Sequence, residues 1–231
     1  MITAGLAVLR QAVDRLLGSL IFPNETLLLS KTNRPPGLIN FADSLFLYAA
    51  ARLGGGKGWI VEIGSYKGAS TAYLALGAIH AGRDSVLACD PHYEGTHQEF
   101  QHTVRSFQLE KVVKPAVMTS EECVSQWHEP VRLLWIDGDH SYAGVQKDVR
   151  LWSRHLIPGG VIALHDYTWE GPNAVLREEI LTSSEFCEVG YLANIAYASK
   201  EFCATPNLFR RFRRLEKIRR PLAIFARKTL G

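Results

Sequence analysis

The chain reads as an α/β protein built on a doubly wound, mostly parallel sheet. Three observations predict it. Five short apolar runs alternate with helix-length segments from residue 59 onward. The runs lack the polar alternation of a one-sided sheet, as expected of strands covered on both faces. A glycine-bearing loop joins the first run to its helix, and right-handed crossovers then place helices on both sides.

The elements follow in order. Residues 1–22 set Leu6, Leu9, Val13, Leu16, Leu17 and Leu20 at helical spacing, giving an amphipathic helix. Pro35-Pro36-Gly37 marks a loop, and Phe41–Leu53 a second helix ending at Gly54-Gly55-Gly56. Trp59–Ile63 is the first strand, followed by Gly64–Gly68 and an alanine-rich helix to about Ala81. Strands over Ser85–Asp90, Val112–Met118, Val131–Asp137 and Gly160–Leu164 complete the five. Helices are expected over Thr96–Phe107, up to Trp127, over Tyr142–His155 and over Asn173–Thr182. Phe186–Tyr191 and Ile195–Ser199 form a closing pair of strands. The organisation expected is a helical extension (1–57), one ligand-binding domain (58–205) and a basic amphipathic tail (206–231).

Composition limits the function classes. The 231 residues are 47% hydrophobic and 21% charged, which excludes a disordered, collagen-like or coiled-coil chain. No apolar run reaches the roughly 18 residues of a membrane span. Arg10 and Asp14 interrupt the N-terminal apolar run, so no secretory signal is expected and the location predicted is cytoplasmic. Cys89, Cys123, Cys187 and Cys203 lie far apart and read as reduced thiols rather than a zinc site. The net charge of +3 is uneven. Residues 208–231 hold nine Lys/Arg and one acid, a net +8, which leaves the remainder at −5. A nucleic-acid partner is therefore not indicated. The tail, with Leu208, Phe212, Leu215, Leu222 and Phe225 among its arginines, suits peripheral contact with an anionic membrane. The apolar face of the N-terminal helix suits a homodimer.

Two groups of residues carry chemistry. In Glu62-Ile63-Gly64-Ser65-Tyr66-Lys67-Gly68, glycine permits a tight strand-to-helix turn that a ligand can approach. The spacing is GxxxG rather than the GxGxxG of dinucleotide binders. Asp90, 22 residues after Gly68, ends the second strand, where an acid can accept both hydroxyls of a ribose. The second group is Asp137-Gly138-Asp139-His140 at the end of the fourth strand and His165-Asp166 at the end of the fifth. Adjacent strand ends lie about 5 Å apart, so the two pairs converge beside the glycine loop. Carboxylates at one point suit Mg²⁺, with Ca²⁺ or Mn²⁺ as alternatives. A cation lowers the pKa of a substrate hydroxyl, and a nearby imidazole takes its proton. Asp139 and His140 are equally suited to capping the next helix. Tyr66, Lys67, Tyr142, Tyr167 and Trp169 are expected around the acceptor.

VEIGSYKGAST, ACDPH, TSEE and WIDGDHSYAGVQKDVRLWSRHLIPGGVIALHDY together resemble class I S-adenosylmethionine-dependent methyltransferases. The nearest resemblance is to metal-dependent sugar O-methyltransferases of macrolide pathways and cephalosporin hydroxylase-like relatives. It spans about Gly58 to Ser199. It implies a Rossmann-like, seven-stranded sheet with an antiparallel last strand. It also implies S-adenosylmethionine held by Glu62, Gly64, Ser65, Gly68, Asp90, Ser120, Glu121 and Asp137. Metal ligation would fall to Asp137, His165 and Asp166, with Asp137 and His140 catalytic and His140 the general base. His165 stands where the sugar enzymes carry a glutamate. The activity implied is O-methylation of a sugar or glycosylated small molecule. A catechol-like phenol is the alternative acceptor. A two-histidine, one-carboxylate iron oxygenase and a non-catalytic cofactor binder fit the residues less well.

Overall fold

The computed structural model describes residues 35–82 and 85–201. The N-terminal helix expected over 1–22 and the basic tail over 208–231 lie outside the described residues. The sheet has seven strands: β1 (Trp59–Ile63), β2 (Val86–Cys89), β3 (Val113–Ala116), β4 (Val131–Ile136), β5 (Leu156–Leu164), β6 (Phe186–Leu192) and β7 (Ile195–Lys200). Their order is β3-β2-β1-β4-β5-β7-β6. β1 to β5 are parallel, and β7 runs antiparallel to both β5 and β6. This is the seven-stranded class I methyltransferase topology that the resemblance implies.

The helices are α1 (Phe41–Leu53), α2 (Ala69–Ala81), α3 (His97–Ser106), α4 (Ser120–Ser125), α5 (Tyr142–Trp152) and α6 (Glu170–Val175). Caps define several starts. The Asn40 side chain accepts from the Asp43 N–H at α1, and Thr119 and Glu122 form a capping box at α4. The central strands are buried throughout, and Trp135 and Trp152 are fully covered. β1 and β4 carry no polar alternation because helices cover both faces.

Three expectations shift. β5 begins at Leu156 rather than Gly160, because the extended backbone runs through Pro158-Gly159-Gly160 with a register shift against β4. The helix expected over Asn173–Thr182 is α6 followed by a π-helical turn, Leu176–Ile180. Cys187 is disulfide-bonded, against the expectation of four reduced thiols, whereas Cys89 and Cys123 are buried free thiols.

Helix α1, assigned from sequence to the extension, packs along α2 as part of the same compact unit as the sheet. Gly77 makes the approach possible, since a Cβ there would meet Tyr48 O at 2.5 Å. Arg132 of β4 is buried at 2% exposure and donates to the last carbonyls of α1, to Ala51 O at 2.6 Å and Ala50 O at 3.4 Å. A cation at a helix C-terminus complements the helix dipole. Among the described residues, no helix is long and apolar enough to cross a membrane.

Candidate active site

Ligands of open α/β sheets sit at the carboxyl ends of the strands, where the strand order reverses. Here that point is β1, flanked by β2 and β4. Gly64, Asp90, Asp137 and His165 each stand one residue beyond the end of β1, β2, β4 and β5. The sheet's hydrogen bonding continues through them. Gly64 N donates to Cys89 O at 2.9 Å, Asp137 N to Ile63 O at 2.8 Å and His165 N to Ile136 O at 3.0 Å. The residues that carry chemistry are thus held by the rigid sheet rather than by free loops.

They border a cleft of about 670 Å³, within the range of small-molecule sites. Gly64 lies at its floor with φ +86°, where a Cβ would meet Asp137 O at 2.2 Å. Only glycine permits this crossing of the β1 and β4 ends. Asp90 Oδ2 accepts from Tyr66 N at 2.8 Å and Oδ1 from His92 N at 2.6 Å. Each oxygen keeps a further lone pair toward the cleft. His92 is buried and lines the cleft, its Nδ1 3.0 Å from Thr96 Oγ1.

At the other end, two carboxylates and two imidazoles converge. His165 Nδ1 lies 2.9 Å from Asp137 Oδ1 and 3.6 Å from Asp166 Oδ2. His140 Nε2 lies 3.6 Å from Asp137 Oδ1 and 3.5 Å from Asp166 Oδ2. Asp166 takes a left-handed backbone, φ 45°, and the His140 ring packs on Trp169 at 4.9 Å. Burial disfavours charge on His165, but hydrogen bonds to Asp137 and Asp43 outweigh it and hold its pKa at about 10. The neighbouring Asp137 raises the pKa of His140 above the ordinary imidazole value. Burial works to raise the pKa of Asp137, but the two histidines prevail and keep it below the usual carboxylate range.

A divalent cation fits this donor set. Asp137, His140 and His165 bring one ligand atom each within 4.8 Å of one another. His140 Nε2 is buried without a hydrogen-bond partner, facing both carboxylates at more than hydrogen-bond distance. His165 belongs to this group and is held by carboxylates on two sides. Both its nitrogens face carboxylates, Asp137 on one side and Asp43 Oδ2 at 3.2 Å on the other.

The structure separates the expected residues. Gly64, Ser65, Tyr66, Lys67, Asp90, Ser120, Glu121, Asp137, His140, His165, Asp166 and Trp169 line the cleft. Glu62 does not. It is fully buried beneath the glycine loop and accepts from the Thr71 hydroxyl. Gly68 does not line it either, and a Cβ there would meet Thr103 at 3.2 Å and Phe100 at 3.3 Å, both of α3. Tyr142 donates to Glu178 at 2.6 Å, and Tyr167 packs on Tyr191 in the partly buried sheet margin. Neither reaches the cleft. Ser120 Oγ accepts from Trp152 Nε1 at 2.8 Å, and Glu121 pairs with Lys147 at 2.9 Å. Sequence reading missed Asp43, whose position in the first turn of α1 looks like that of any helix-start acid. It missed Leu38 and Tyr93 as well, which border the cleft at more than 80% exposure.

Residues 61–167 match the family model described as a methyltransferase domain. Solved structures share the fold at low identity. An O-methyltransferase from Bacillus cereus, solved with S-adenosylhomocysteine, is 19% identical with a TM-score of 0.60, covering 82% of this chain and 97% of its own. TomG, an O-methyltransferase of tomaymycin synthesis from Streptomyces achromogenes solved with S-adenosylmethionine, is 14% identical with a TM-score of 0.60, covering 82% and 96%. CalS11, a TDP-rhamnose 3′-O-methyltransferase of calicheamicin biosynthesis, is 15% identical with a TM-score of 0.55, covering 82% and 91%. Residues 61–167 thus match a methyltransferase domain, and the strand order is that of the class I methyltransferase fold shared by these structures.

Proposed function

We propose that the chain is a divalent-cation-assisted O-methyltransferase acting on a hydroxyl with a neighbouring oxygen, on a sugar or a glycosylated small molecule. One observation carries the reading. A buried, unpartnered imidazole nitrogen of His140 faces two carboxylates at the strand ends beside the glycine loop. The O-methyltransferase relatives, one of them acting on a deoxysugar nucleotide, support it.

The cofactor when bound supplies an electrophilic methyl group, and a cation such as Mg²⁺ supplies charge that acidifies and orients the acceptor hydroxyl. Gly64 and Ser65 would hold the methionine end of the cofactor, Asp90 the ribose hydroxyls, and Ser120 and Glu121 the adenine end. Asp137 and Asp166 would hold the cation, and two carboxylates would leave positions for water and substrate oxygens. His140 Nε2 would be placed to accept the proton of the acceptor hydroxyl. Trp169, half exposed against His140, offers an apolar face to a sugar ring.

The test is methyl transfer from labelled S-adenosylmethionine to a panel of sugar nucleotides, glycosides and catechols, with Mg²⁺ and with EDTA. Sugar methylation that EDTA abolishes, and that His140→Ala lowers by about 10²-fold or more, is expected. Methylation confined to catechols, or unaffected by EDTA, overturns the acceptor or the cation part respectively.

A further inference from the structure

We infer that Asp43 is a positioning residue of the active site: its carboxylate fixes the His165 ring, and through that ring the Asp137 carboxylate. The inference rests on the reading of Asp137 as a site carboxylate. Asp43 is 0% exposed and does not line the cleft, so it can act only through another group. Its Oδ2 accepts from His165 Nε2 at 3.2 Å, across 122 residues of sequence. Its Oδ1 accepts from the backbone N–H of Asn194, in the β6–β7 turn, at 3.2 Å, and Asn40 Nδ2 donates to Oδ2. The helix does not require this carboxylate, because Asn40 already caps α1. A buried carboxylate is costly to keep unless its partners repay it. Here the partners lie at the carboxyl end of β5 and beyond.

The ring is therefore fixed from three sides. Asp43 holds Nε2, Asp137 holds Nδ1, and Trp135 packs on the ring at 5.3 Å. The remaining lone pairs of Asp137 are thereby aimed at the cleft and His140. Asp43 lies outside residues 61–167, the part of the chain that matches the methyltransferase-domain model. Groups that orient a site's inner residues in this way change metal affinity or activity about 10–100-fold when removed.

The experiment uses the full chain and its Asp43→Asn variant, with Mn²⁺ alone and S-adenosylhomocysteine alone as probes. The substituted amide keeps one acceptor oxygen, so either Asn194 or His165 loses its partner while the fold is retained. Histidine-labelled chains report the hydrogen-bonded His165 ring protons by NMR. The expected result is loss or broadening of the His165 Nε2–H signal, Mn²⁺ affinity lowered about 10–100-fold, and S-adenosylhomocysteine affinity within about twofold of the parent. A His165 signal unchanged in both Asp43→Asn and Asp43→Ala overturns the inference, and so does Mn²⁺ affinity unchanged in both. If the parent chain binds no Mn²⁺, the cation reading fails by itself. The ring signal then decides for Asp43: its loss in either variant upholds the inference, and its persistence in both overturns it. Asp43→Ala, which removes both acceptors, is expected to give the same pattern with a lower melting temperature.

Discussion

Glu62 makes the fold pH-dependent in a way that one substitution removes. The carboxyl is fully buried under the glycine loop, one oxygen bonded to Thr71 and the other without a partner. Burial pushes its pKa from 4.5 to about 8. The native state therefore holds the proton more tightly than the unfolded chain does. Stability from this group is full below about pH 4.5, declines as the pH rises toward 8, and is flat above. At 1.36 kcal/mol per tenfold in proton affinity, the whole window is worth about 5 kcal/mol and the cost at pH 7 is about 3 kcal/mol. Glu62→Gln keeps the shape and an acceptor for Thr71 but cannot ionise. It should raise stability at pH 7 by ~3 kcal/mol, or roughly 6–12 °C in Tm for a domain of this size. Urea unfolding from pH 5 to pH 8 is the assay. Parent stability should fall by about 3–4 kcal/mol more than that of the variant over this range. Parallel profiles for the two proteins would refute the assignment of a protonated, buried Glu62.

Three further outcomes follow from the packing. Gly64→Ala drives a Cβ to 2.2 Å from Asp137 O in a left-handed backbone. It should abolish S-adenosylhomocysteine binding by calorimetry and cost well over the ~1–2 kcal/mol of the left-handed conformation alone. Arg132→Met removes the buried cation that holds the α1 carbonyls. Denaturant unfolding should show a loss of about 1–3 kcal/mol, with amide exchange fastest at the end of α1. Tyr142→Phe breaks only exposed bonds, the one it donates to Glu178 and the one it accepts from Gln146. It should leave methyl-transfer rates unchanged, because Tyr142 lies away from the cleft.

The sheet was legible because β1, β2 and β4 are short, mostly apolar runs, each of β1 and β4 broken by a single charged residue, and a two-sided parallel sheet makes such runs stable. The start of β5 was hidden by Pro158-Gly159-Gly160, residues that signal a turn but here extend at an irregular register. The π-helical turn at Leu176–Ile180 leaves no mark in an apolar spacing of three and four. In the site, the residues one step past each strand end were readable because topology alone places them together. What was not readable is which way a side chain turns. Glu62 and Gly68 belong to the same loop motif as Gly64, yet pack inward against α2 and α3. Asp43 reaches the site from the far end of the chain through tertiary packing, which no local pattern encodes.

Calorimetric titration of S-adenosylhomocysteine into the full chain, with and without EDTA, tests the account most directly. The account predicts saturable one-to-one binding that EDTA leaves intact, since the proposed function assigns the cofactor to Asp90 and the glycine loop and the cation to the acceptor. Absence of binding by folded protein in either condition would contradict it.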